Sequence, residues 1–223
     1  WRNPFTDPLC LQAAHLIFTN LERAVREGES DEAAREQMGI AATLAGLGFG
    51  NANLGLAHAM GHSFGAWFKQ PHGRAVSLFL PYIIYYSIAG GVYRYADFER
   101  YFALAECGSL SEDGGRKAEN ERPENERPDN DNRLPTADHQ SPPTNEALAR
   151  RFAARVSALG VAVGQPQCVA ALGISEADYF DALESICDHA EADTQFFTAP
   201  RIPEREELQR LFRAAYRGES VAF

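Results

Sequence analysis

No two of the four cysteines (Cys10, Cys107, Cys168 and Cys187) stand close in the chain, and there is no CxxC pair. That spacing excludes a disulfide framework and a zinc ribbon, and points to a reducing, cytoplasmic setting. A basic excess is lacking too. The net charge is −10, which argues against a nucleic-acid partner, whose binder would normally carry a basic stripe. The opening WRNPFTDP has no initiator Met, no basic n-region and no apolar h-region. It does not read as a signal peptide, and the natural chain is expected to begin upstream. Acids and bases are both missing from Gln37 to Phe68, a stretch longer than a bilayer requires. Asn51, Asn53, His58, His62 and many glycines make it too polar for a lipid-facing span, so it is read as helix at the centre of a helical domain. No membrane partner is expected.

What is present is ordinary globular material: 223 residues, 45% apolar and 23% charged, enough for a sizeable core. Thr6-Asp7-Pro8 reads as a helix start, followed by apolar residues at three- and four-residue spacing from Leu9 to Ala24 and a stop at Gly28. Ser30 and Asp31 open a second helix towards Leu47, with a glycine-rich break expected at Gly48-Phe49-Gly50. A third is expected from about Asn53 to Phe68, then a Pro71-His72-Gly73 turn, then an apolar helix interrupted at Pro81. Further helical signals cover Asp97–Cys107, Asn145–Leu159, Glu176–Ala192 and Glu204–Tyr216. Strand-like alternation is nearly absent, so the fold class is all-α.

Between the fifth and sixth of these the character changes. Residues 109–144 have almost no apolar side chain, repeat ENERP in tandem, and within 111–144 carry nine acids against five bases. Such a segment cannot bury enough surface to offset chain entropy, and is expected to be a disordered, dispensable acidic insertion.

The chemistry concentrates in LAHAMGHSFGAWFKQPHG. On a helix, His58 and His62 project from one face a turn apart. His72, in its Pro-His-Gly turn, can fold back towards them. A histidine pair at this spacing fits a hydrogen-bonded core feature as well as a metal site. The third imidazole favours a divalent cation such as Fe²⁺ or Zn²⁺. HAMGH has no glutamate after its first histidine, so the zinc-protease pattern fails. GLGFGNANLG is not a dinucleotide loop, since no strand precedes it. His15 and His139 are expected to be solvated, His189 to sit near a helix end, and Leu78, Leu80, Ile83 and Ile84 to be core.

NANLGLAHAMGHSFGAWFKQPHGRAVSLFLPY resembles the signature region of the iron-containing alcohol dehydrogenases, and NPFTDPLCLQAAHLIFTNLERAV and FFTAPRIPEREELQRLFRAAY agree with its flanks. The resemblance covers nearly the whole chain outside the acidic insertion. It implies a helical bundle like the C-terminal domain of these enzymes and of dehydroquinate synthase-like proteins, with residues 1–223 as the metal-binding domain. The family's N-terminal α/β domain, which holds NAD(P), is absent from this chain. His58 and His72 match two of the family's metal ligands; its other two, an aspartate and a histidine, lie on a helix preceding the NPFTD-like segment. His62 matches a cleft histidine outside the ligand set, and is expected either to relay a proton in catalysis or to hold structure. Asn51 matches an asparagine near the cleft. The implied substrate is a small alcohol or aldehyde, and the implied partner a second copy or a complementing N-terminal half. Two other readings stand beside this one: an inert helical remnant of the same fold, and an unrelated metal-dependent hydrolase. The hydrolase is disfavoured because no carboxylate base accompanies the histidines.

Overall fold

A computed structural model describes residues 3–112 and 142–223. Among them the regular structure is entirely helical: α1 (Asp7–Arg26), α2 (Glu32–Ala52), α3 (Leu56–Phe68), α4 (His72–Ala89), α5 (Ala96–Glu112), α6 (Asn145–Ala162), α7 (Glu176–Asp181), α8 (Leu183–Ala192) and α9 (Arg205–Arg217), with 3₁₀ turns at Ala170–Leu172 and Phe196–Thr198. The all-α expectation holds. No single described helix is long and apolar enough to cross a membrane, though α2 and α3 together would pass that test by length and composition. They meet at 106° across a short break.

Several local expectations are corrected. Thr6 is the N-cap of α1 but makes no side-chain capping bond; Asn3 Oδ1 instead accepts from the Phe5 and Thr6 amides of the turn leading into the helix, at 3.1 and 3.0 Å. Asp31 caps α2 as read, accepting from the Ala34 amide at 2.9 Å and pairing with Arg23. The glycine-rich break is not where the glycines are, because α2 runs through Gly46, Gly48 and Gly50 to Ala52. Gly48 is buried against α1, where a Cβ would fall 2.5 Å from Cys10 Sγ, so this glycine permits close packing rather than ending the helix. The chain breaks instead at Asn53, whose φ of 62° and ψ of 172° lie outside both helical wells, a strained conformation for a residue other than glycine. Pro81 does not interrupt α4 either. The carbonyl it leaves without a helical donor belongs to exposed Ser77, which water can reach. The run Glu176–Ala192 is two helices, parted by a tight turn at buried Ala182.

α4 is the central helix and faces two cores. Leu78, Phe79, Tyr82, Ile83 and Tyr86 pack with Leu56, Met60 and Phe64 of α3, Ile186 of α8, and Leu211 and Phe212 of α9. On the other side Ile84 and Ile88 meet Phe102 of α5 and Phe152 of α6, with Phe18 and Phe98 alongside. Leu80, expected in the core, is 36% exposed because it lines a 790 Å³ cleft between α4, α6 and the C-terminal tail. His15 is not solvated as expected: it is half-buried, with its ring against Tyr101 and Phe102. Of the expected insertion, residues 109–112 continue α5 and Thr144 caps α6. Residues 142 and 143 are exposed coil, and residues 113–141, with His139, lie outside the described residues.

Candidate metal centre

α3 starts at Leu56 after Gly55, whose carbonyl accepts from the His58 amide at 2.8 Å. That places His58 in the first turn and His62 one turn further along the same face. Lys69 then closes the helix in the left-handed conformation, and Pro71 leads directly into α4. His72 therefore stands at the first position of α4 rather than in a free turn. Proline immediately before it presets the entry angle. The effect on the histidines is as anticipated: the three rings converge, with centroid separations of 5.6 Å (His58–His62), 5.5 Å (His58–His72) and 5.1 Å (His62–His72, stacked).

Two contacts hold this geometry. Gly61 lets α3 lie directly on the α4 backbone at Val76, and Ser63 Oγ donates to the Ile186 carbonyl, joining α3 to α8. The second contact matters because α8 ends at Asp193. Asp193 Oδ2 lies 2.6 Å from His62 Nδ1, and its Oδ1 accepts from the Gln195 amide at 2.8 Å. A carboxylate thus accompanies the histidines, against the reading from sequence. Asp193 sits at the C-cap of α8, where the helix dipole disfavours an acid unless something compensates. That misfit is the one signal in the sequence. Glu191 and Asp188 share it, and their partner is Arg205 instead.

Electrostatically the surroundings favour neutral imidazole at His58. Burial, with the His62 and His72 rings adding repulsion, pushes His58 down to about 4, and Asp193 opposes this only in part. A metal ligand must be in that unprotonated form. Among the described residues no group of three or more His, Cys, Asp or Glu side chains is arranged to hold a metal ion. Asn51 is not brought to the cluster; its amide turns back on α2 and donates to the Leu47 carbonyl at 2.9 Å. His189 is exposed near the end of α8, its ring 5.9 Å from that of Trp67, while Phe68 stacks on Tyr179 in the core.

Comparison with known proteins bears on the same elements. The family model described as Fe-containing alcohol dehydrogenase family, C-terminal, matches residues 2–124. The chain is 30% identical over 221 residues to an NADPH-dependent butanol dehydrogenase of Clostridium saccharobutylicum, covering 99% of this chain and 47% of that enzyme. It is 34% identical over 214 residues to a 1,3-propanediol dehydrogenase of Citrobacter freundii, covering 96% and 45%. The solved structure of a 1,3-propanediol oxidoreductase superposes with a TM-score of 0.71 at 29% identity, over 96% of this chain and 46% of that one. The chain spans about half the length of the curated relatives it matches. Motif, helical architecture and sequence similarity agree, and the chain belongs to the iron-containing alcohol dehydrogenase family, whose C-terminal helical part it carries.

Proposed function

We propose that this chain is the metal-holding helical half of an NAD(P)-dependent, iron-type alcohol dehydrogenase. The observation that carries the proposal is the convergence of the three imidazoles of the His-x3-His-x9-His pattern at the junction of α3 and α4. His58 and His72 would hold a divalent cation, Fe²⁺ first and Zn²⁺ as the alternative. Their fit is chemical: two imidazoles with ring centroids 5.5 Å apart, one of them kept neutral by its surroundings. The sphere they begin needs further ligands, which the family resemblance assigns to an aspartate and a histidine on a helix preceding the NPFTD-like segment. When bound, the cation supplies positive charge beside the substrate oxygen while hydride passes to or from a nicotinamide. His62 would hold or move the proton of that oxygen. The names of the relatives, butanol and 1,3-propanediol dehydrogenases, support a small alcohol or aldehyde as substrate.

Metal content and NAD(P)H formation test this, for the 223-residue chain alone and for the chain mixed with the other half of a close relative. The chain alone is expected to bind metal weakly and to oxidise no alcohol. The mixture is expected to gain tight metal and turnover, and His58→Ala or His72→Ala to abolish both. Robust turnover by the chain alone would overturn the proposal. So would a mixture indifferent to both substitutions, or one that never turns over, as an inert remnant would behave.

A further inference from the structure

The His62–Asp193 pair is built with more care than a chance surface contact. Asp193 is 18% exposed and His62 39%. Asp193 Oδ1 is occupied by the Gln195 amide, so only Oδ2 is free to face the imidazole. The Gln195 side chain in turn accepts from the Leu54 amide at 2.8 Å, and Thr198 Oγ1 donates to the Leu54 carbonyl at 2.7 Å. The segment carrying Asp193 is therefore tied to Leu54, two residues before α3, the helix that carries His62.

We propose that Asp193 is a positioning residue: it fixes His62 in the tautomer protonated at Nδ1 and leaves Nε2 as the nitrogen with a free lone pair. A carboxylate can only accept, so a neutral imidazole 2.6 Å away must spend its single N–H on it. His62 thereby keeps its hydrogen-bond-accepting lone pair at Nε2. The catalytic use of that nitrogen rests on the function proposed above, whereas the tautomer itself does not.

Asp193→Asn gives a sharp test, because Gln195 N–H donates to Oδ1. The asparagine oxygen is retained there, its NH₂ is turned to His62 Nδ1, and the imidazole must accept and carry its proton on Nε2. Nitrogen-15 spectra of the chain at about pH 9, where imidazoles are ordinarily neutral, read this directly. Wild type is expected to show the Nδ1–H form of His62, and Asp193→Asn the Nε2–H form with unchanged helical circular dichroism. In the mixture with the complementing half, Asp193→Asn should lower kcat by about tenfold or more while metal content holds. An Nε2–H form in wild type, or the same tautomer in both proteins, overturns the assignment. An inverted tautomer with unchanged kcat overturns its catalytic use. If the wild-type mixture neither holds metal nor turns over, the functional reading fails, and the tautomer spectra decide the positioning role by themselves.

Discussion

Gly61 of α3 and Val76 of α4 meet backbone to backbone: a Cβ on Gly61 would stand 2.8 Å from Val76 Cα and 3.0 Å from its nitrogen. Neither atom can swing aside, so Gly61→Ala must push the two helices apart. Overpacking of this kind costs about 1–3 kcal/mol. Gly61 precedes His62, and Val76 follows His72 by one turn, so the separation opens between the histidines. The melting temperature is expected to fall and metal uptake to fall with it. Gly73→Ala is the control. It has no atom within 4 Å of its would-be Cβ, and it should be neutral or slightly stabilising in a helix.

Glu99 offers a test of asymmetry. It is 4% exposed on α5, and Arg151 and Arg155 of α6 each place Nε 2.8 Å from one of its oxygens. The arginines are the more exposed partners, at 63% and 37%. Removing both leaves a buried charge without compensation, a loss of about 3–5 kcal/mol. Glu99→Gln leaves cations that water can reach, and should cost less. Urea midpoints of the two variants decide it; equal losses would show that the guanidinium stems contribute by packing rather than by charge.

Much of this fold is legible in the sequence because apolar spacing dictates helices wherever one face is buried. Leu9 to Ala24 and Asn145 to Leu159 form as read, and the three histidines meet because i, i+4 spacing and a proline-set turn leave little choice. The errors have one physical origin. Local propensity misleads at Gly48, Pro81 and Leu80, where neighbours decide the outcome: Cys10 fills the space beside Gly48, solvent serves the Ser77 carbonyl, and a cleft rather than a helix faces Leu80. Asp193 is not legible in the sequence because its partner is 131 residues away, and no periodicity reaches that far.

Acid stability should depend on Glu207. Its Oε2 accepts from Tyr86 hydroxyl at 2.7 Å and from the Glu204 amide at 3.2 Å, and Arg201 lies 2.5 Å from Oε1. Burial pulls the other way, but these partners together hold the carboxyl below its ordinary value of 4.5. The folded value is the lower one, so the unfolded chain binds the proton first on acidification. The stabilisation is fully present above the ordinary value and is lost as pH falls through the folded one. Melting temperatures from about pH 7 down to about pH 3 should drop more steeply for wild type than for Glu207→Gln. The variant should be the less stable of the two at neutral pH. Parallel curves would show that Glu207 contributes nothing through its ionisation.

Leu54 gives the last prediction. It sits in the break between α2 and α3, and both of its backbone polar groups are satisfied by the segment after α8: the amide by Gln195 Oε1 and the carbonyl by Thr198 Oγ1. Half-buried backbone groups in a break have no helical partner to fall back on, so these two side chains determine whether the break keeps its shape. Thr198→Val preserves volume and removes the hydroxyl donor, leaving the Leu54 carbonyl short of a partner at a cost of about 1–2 kcal/mol. Thr198 Oγ1 also lies 2.9 Å from the Gln195 carbonyl, which shares its single proton with the Leu54 carbonyl, so Gln195 should loosen in the same variant and release the Leu54 amide. Hydrogen exchange is therefore expected to accelerate at Leu54 in Thr198→Val, and at Gln195, whose amide is held by Asp193. Amides in the middle of α4 should exchange at the wild-type rate. An effect confined to global stability, with Leu54 and Gln195 no faster than the core, would show that the break is held by packing of Leu56 and Phe196 instead.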